Sequence, residues 1–258
     1  MAIRVPYLTE ERIERDAMEL LAEYEKARGV RIVAPIPIED IVEKHLRLRI
    51  EFDDLHRLFD QPRPGNASEV EILGAMFFDE RRVVIDENLD PEERPRIEGR
   101  YRFTVAHEGG GHWRLHRHLF IDDPSQRALF GQGGSPSVVC RTSQAKEPVE
   151  WQADFYASCL LMPRDRVMAA WDEQYSDRKP RVLQPLNPVD HPFVEVSRYV
   201  CRIAGLDWNM SVNEALEEVA RPLAERFLVS PIAMRIRLEK LGLLYREVPH
   251  QRLLACRE

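Results

Sequence analysis

Arg102-Phe-Thr-Val-Ala-His-Glu-Gly-Gly-Gly-His-Trp-Arg-Leu-His116 runs into a stretch, 103–120, that is helical by pattern apart from its three glycines. On an undistorted helix, histidines four residues apart are about 40° apart around the axis, so both rings can meet one ion. Here His107 and His112 are five apart. Five residues correspond to about 140° on an ideal helix, which points the rings away from each other. Two features counter this. A π-bulge lengthens one turn and returns positions five apart to one face, and such bulges favour functional sites. Glycine makes that distortion easy, and each one costs up to about 1 kcal/mol in a regular helix, so Gly109, Gly110 and Gly111 mark an irregular turn. A second reading stays open on this segment alone: the glycines end one helix and His112 starts another.

The downstream Glu150-Trp-Gln-Ala-Asp154 supplies the next clue. A tetrahedral catalytic metal site needs a third N or O ligand and one open position. Two carboxylates four apart share a helix face. Glu150 can take the metal while Asp154 accepts the free ring N–H of His107 and so sets its tautomer. Such acidic pairs are common on solvated faces. Here Trp151, Ala153, Phe155, Ala157 and Leu160 surround the pair, which predicts a helix buried on much of its circumference, and buried carboxylates need partners. Glu108, next to the first histidine, is placed to act as a base on water at the metal, the logic of an HExxH motif.

The rest of the chain frames this site. It has 258 residues, 44% hydrophobic and 31% charged, with a formal net charge of −7. That balance suits a globular domain with an appendage and argues against non-specific binding to nucleic acid or anionic membranes. No apolar stretch follows Arg4 and none is long enough to span a bilayer, so the expectation is a cytoplasmic protein. Cys140, Cys159, Cys201 and Cys256 form no CxxC pair and read as reduced thiols. Thr9 caps a helix that stops at Gly29. A short second helix is expected over 38–45, an alternating strand over 46–52, and a loop over 61–66. A hairpin of 72–78 and 82–85 follows, then a helix opened by Asp90. Residues 122–148 form a long loop that is either functional or mobile. Helices are expected over 147–162, 163–174, 192–204, 211–227 and 230–241. The outline is α+β: a small antiparallel or mixed sheet beside a helical bulk, with an all-helical C-terminal part.

Taken together, 102–108, 111–116 and the block Glu150 to Pro163 resemble the ImmA/IrrE family of metallopeptidases. That family reads approximately RFTLAHELGHWLLH and then ExxAN-FAxxLLMP. The likeness extends to the N-terminal helix, to Gly74-Ala75 and its hairpin, and to 227–242. The resemblance implies a zincin-like domain over 1–176, a helical extension over 177–258, and a zinc endopeptidase of the gluzincin type. Such proteins cut a partner transcriptional repressor and release stress-response or mobile-element genes. It further implies His107, His112 and Glu150 as Zn2+ ligands, Glu108 as general base, and Asp154 where the family has Asn or Asp. The departure is the extra glycine. The dipeptidyl-peptidase-three family is similar in having an active HExxGH helix with a downstream Glu.

Other residues complete the expectations. The strand at 72–78 is a candidate edge for substrate addition, with Gly74 and Ala75 permitting close backbone approach. Tyr101, Tyr156 and His191 are candidates for oxyanion stabilisation. His112 and His116 form a rival pair four apart, but Trp113 leaves that pair without an adjacent base. His45, His56 and His250 read as surface residues. Segment 211–242 has a helix-turn-helix rhythm that offers Arg235 and Arg237 to DNA, yet Glu217, Glu218, Glu225 and Glu239 interleave with them, so direct DNA binding is not the expectation. Three classes of function follow: an active zinc endopeptidase, a catalytically weak binding relative, or a DNA-binding regulator.

Overall fold

Thr9 starts the first helix through its hydroxyl, which accepts the Arg12 N–H at 3.3 Å. The helix, α1 (Glu10–Arg28), ends at Gly29, whose φ of 65° lies in the left-handed region that suits glycine. In this computed structural model the described residues are 5–63, 65, 71–121, 138–141, 147–182 and 212–246. The helix expected over 192–204, together with His191, His250, Cys201 and Cys256, lies outside them. So do most of the expected loop at 122–148 and residues 64 and 66 of the loop expected at 61–66.

After α1, the short α2 (Ile38–Asp40) runs into π-helical turns at Ile41–His45. Strand β1 (Arg49–Asp53) begins later than the alternation of 46–52 predicts, with Leu46 and Leu48 buried ahead of it. Helix α3 (Leu55–Leu58), β2 (Ile72–Phe77) and β3 (Arg82–Asp86) follow. Asp90 does not open a helix. Its carboxylate caps a turn at Glu92, 2.9 Å away, and Pro95 starts a 3₁₀ turn over Pro95–Ile97. Helix α4 (Glu98–Val105) therefore begins beyond the proline. It continues into the π-helical Ala106–His116 and then α5 (Arg117–Ile121).

The sheet has the order β1-β3-β2-β4, where β4 is Val138–Arg141. The hairpin β2–β3 is antiparallel as predicted, with Gly74 opposite Ile85, and β1 runs parallel to β3. Strand β4 pairs antiparallel with β2, setting Gly74 opposite Cys140. β2 is thus an inner strand covered on both faces, which explains its nearly continuous apolar run. Ala75 and Phe77 pack with Leu55, Ile72 and Val84 on one side. Gly74 faces the other side, against Thr104 and Glu108.

Helix α6 (Pro148–Leu161) packs on α1 and on the π-helical segment, and Pro163 precedes α7 (Arg164–Gln174). Arg102, buried at the start of this region, donates to the Glu39 carboxylate and the Ile36 carbonyl and ties α4 to α2. Contacts divide the chain into two units, Met1–Arg166 with Phe227–Val229, and Val167–Arg226 with Ser230–Glu258. The division expected at 176 falls inside the second unit. That unit holds α8 (Val212–Phe227) and α9 (Pro231–Leu241), the latter capped by the Ser230 hydroxyl on Ala233 N–H. It is not all helical, because β5 (Arg181–Val182) pairs in parallel with β6 (Leu244–Tyr245). Among the described residues no helix is long and apolar enough to cross a membrane.

Candidate metal centre

The distortion predicted for the glycine turn is present and larger than one residue: the π-helical run covers Ala106–His116. Hydrogen bonds of the i→i+5 type stack residues five apart, so His107 and His112 share a face. Their ring centroids are 4.7 Å apart. Each glycine also has a close neighbour, side-chain atoms at Gly109 and Gly110 and backbone at Gly111. A Cβ at Gly109 would lie 2.8 Å from Val42, one at Gly110 3.0 Å from Leu160, and one at Gly111 2.8 Å from the Ala153 Cα. The glycines therefore do two things at once. They permit the wide turn, and they let α6 approach the backbone that carries both histidines.

That approach brings the ligand atoms together. His112 Nε2 and His107 Nε2 are 3.0 Å apart. The Glu150 carboxylate lies 3.2 Å from His107 Nε2 and 3.6 Å from His112 Nε2. Asp154 Oδ1 is 2.9 Å from His107 Nδ1, the pairing expected from the spacing of 150 and 154. Glu108 is fully buried beside the pair, and one of its oxygens lies with a nitrogen of each histidine in a group whose atoms are all within 4.8 Å of one another. A Cβ on Gly74 would come within 3.0 Å of Glu108 Cγ, so the bare backbone of β2 is what makes room for this carboxylate.

The donor set fits a metal ion. A carboxylate only accepts, so the ring proton of neutral His107 sits on Nδ1 towards Asp154, and its Nε2 presents a lone pair. Beside that nitrogen lie the Glu150 carboxylate and His112 Nε2, so two imidazole nitrogens and a carboxylate oxygen converge where a cation would be held. Complete burial holds His112 well below its usual pKa, with His107 and His116 adding to the effect, which favours the neutral ring that a metal needs. The buried histidine and glutamate group can hold a metal ion.

Several expectations change. β2 is not an edge: β4 pairs along it, so the substrate-addition role expected of Gly74 and Ala75 has no open strand to use. Ala75 lies in the apolar cluster on the face away from Glu108. The Tyr156 hydroxyl donates to Asp16 at 3.2 Å, and the Tyr101 ring stacks on Phe52. His116 does not form a rival ligand pair, since its Nδ1 is 2.9 Å from His112 Nδ1 and its Nε2 2.9 Å from Gln152 Oε1, away from both glutamates. His56 is buried rather than superficial, bridging the Pro62 carbonyl and the Ile72 N–H, and His45 is partly covered beside Glu23. Arg235 and Arg237 are 8% and 2% exposed, and Arg235 is paired with Glu217 and Glu239, so neither is presented to DNA.

Two features escaped the sequence reading. Arg114, on the π-helical segment, donates to Asp16 and Glu23 of α1 and anchors the segment from its outer side. Gln152 is buried among apolar neighbours and joins His116 to the Pro6 carbonyl. A polar amide inside an otherwise apolar helix face was the available signal. Compared with known families and characterised proteins, the sequence matches no family model and no curated protein.

Proposed function

We propose that this chain is a zinc-dependent endopeptidase with a zincin-like domain, similar to the ImmA/IrrE metallopeptidases, whose substrate is a helix-turn-helix repressor. The observation that carries the reading is the convergence of His107 Nε2, His112 Nε2 and the Glu150 carboxylate within 3.0–3.6 Å of one another, beside the buried Glu108. Two imidazoles and one carboxylate are the ligand set of open catalytic zinc sites. Zinc, when bound, supplies Lewis acidity, polarising a carbonyl oxygen and lowering the pKa of water. Glu108 takes the proton of the attacking water and returns it to the leaving amine. The contact with β2 at Gly74 fixes where its carboxylate stands. Asp154 holds His107 with Nε2 towards Glu150 and His112, where those three residues would hold the ion.

The alternative in which the extra glycine misplaces His112 draws no support from a 3.0 Å approach of the two Nε2 atoms. The DNA-binding alternative loses the two arginines on which it depended. The decisive experiment measures bound zinc and proteolysis in parallel, using a quenched fluorogenic peptide library and a panel of helix-turn-helix repressors. The wild-type chain binds one zinc and cleaves. Glu150→Ala loses the zinc. Glu108→Gln keeps it and cleaves about a hundred- to ten-thousand-fold more slowly. Undiminished cleavage by Glu108→Gln refutes the catalytic assignment.

A further inference from the structure

To ligate a metal through Nε2, His112 must carry its single neutral proton on Nδ1. Among the described residues no carboxylate is placed at His112 Nδ1 to ensure this, in contrast to His107 and Asp154. What stands at Nδ1 is another histidine, His116, at 2.9 Å. Either nitrogen of such a pair can donate, so the contact alone leaves the tautomers open.

The end of the chain removes the ambiguity. Gln152 Nε2 lies 2.8 Å from the Pro6 carbonyl oxygen, which can only accept. The amide NH2 must therefore face Pro6, and the amide oxygen must face His116 Nε2 at 2.9 Å. An amide oxygen also only accepts, so His116 carries its proton on Nε2. A neutral imidazole has one proton, so with that proton on Nε2 the His116 Nδ1 is bare and accepts. His112 Nδ1 is then the donor, and His112 Nε2 is left with the lone pair that faces His107 Nε2 at 3.0 Å.

We infer that His116 and Gln152 are positioning residues of the metal centre: with the Pro6 carbonyl they form a one-directional hydrogen-bond chain that sets the tautomer of His112. The two histidine ligands are thus prepared by different devices. A carboxylate does it for His107 in one step. For His112 a neutral relay does it in three, adding no charge to a site that already gathers Glu108, Glu150 and Asp154. The relay crosses three elements that are distant in sequence: the segment before α1, the π-helical run, and α6. Docking of the N-terminal segment is in this way part of preparing the metal site.

The inference rests on His112 being a ligand, and its test separates the two ideas. Long-range ¹H–¹⁵N spectra of the imidazoles in the metal-free chain at neutral pH show His112 protonated on Nδ1 and His116 on Nε2. Zinc affinity is measured alongside by competition with a chromophoric chelator. Gln152→Leu removes the acceptor, abolishes the tautomer preference of His116, and weakens zinc binding about ten- to hundred-fold. His116→Gln retains an amide oxygen for His112 and loses less than His116→Leu. The opposite tautomers in the wild-type chain overturn the relay even if zinc binds, and so does a folded Gln152→Leu with unchanged affinity. If Gln152→Leu does not fold, the spectra of the unmutated chain decide. Failure of the wild-type chain to bind zinc overturns the metal reading, and the positioning role with it.

Discussion

Gly111 lies against Ala153 so closely that an added Cβ would stand 2.8 Å from the Ala153 Cα and 2.9 Å from its carbonyl oxygen. Ala153 sits between Glu150 and Asp154 on α6, so this contact sets how near those two carboxylates come to the histidines. Gly111→Ala tests it. Alanine is the better helix former by about 1 kcal/mol, but the clash is with backbone rather than a movable side chain. Overpacking of this kind costs about 1–3 kcal/mol. The clash wins. The variant melts at lower temperature and binds zinc at least tenfold more weakly; a rise in melting temperature with intact zinc binding contradicts this account of the glycine.

Shortening the turn should harm the site. Deleting Gly110 restores the common HExxH spacing, but it also shifts His112 and everything after it by one position. Arg114 then leaves Asp16, 3.0 Å away in the native chain, and His116 leaves Gln152. The deletion variant loses zinc affinity and thermal stability together, read by chelator competition and a melting curve. Faster proteolysis by the deletion variant would show the π-helical turn to be the poorer catalyst.

Asp154 offers a graded test of how His107 is held. Asp154→Ala removes the acceptor 2.9 Å from Nδ1 and weakens zinc binding about ten- to hundred-fold. Asp154→Asn keeps an amide oxygen at the same place and loses less. Equal losses in the two variants would mean that charge, not the orientation of the ring, is what Asp154 contributes.

Acid should destabilise the metal-free chain in a defined window. Burial lowers the His116 pKa from 6.5 to about 4, and the same cause holds His112 well below the ordinary value. A histidine with a depressed folded pKa is protonated first in the unfolded chain, so its contribution is complete above about pH 6.5 and lost as the pH falls towards 4. Thermal melts of the metal-free chain stay level above that range and decline through it. His116→Gln flattens part of the decline. A stability that rises on acidification from pH 6.5 to 4 is incompatible with the buried neutral histidines.

Much of the local structure was legible because it depends on short-range physics. Thr9 and Gly29 bound α1 by capping geometry, the apolar runs at 72–77 and 82–86 pair across a tight turn, and Glu150 and Asp154 share a face by helical period. Where the reading failed, a distant partner had intervened. The alternation of 46–52 suggested a longer β1, but Leu46 and Leu48 are buried ahead of the strand. β2 looked like an edge because strand order is not encoded in alternation, and β4 pairs with it from beyond the metal segment. His56 looked superficial because its partners at Pro62 and Ile72 are set by the tertiary path of the chain.

The sequence by itself determined the residue types at the site: two histidines with a glutamate between them, a distorting glycine triplet, and a carboxylate pair on a later helix. These follow from chemistry and period. Tertiary structure alone decided that a histidine spacing unsuited to a regular helix would still converge. His107 and His112 meet because Val42, Leu160 and Ala153 occupy the room where side chains at 109–111 would stand, and the chain widens its turn rather than break that packing. No spacing rule contains those neighbours, since they arrive from elements before and after the motif.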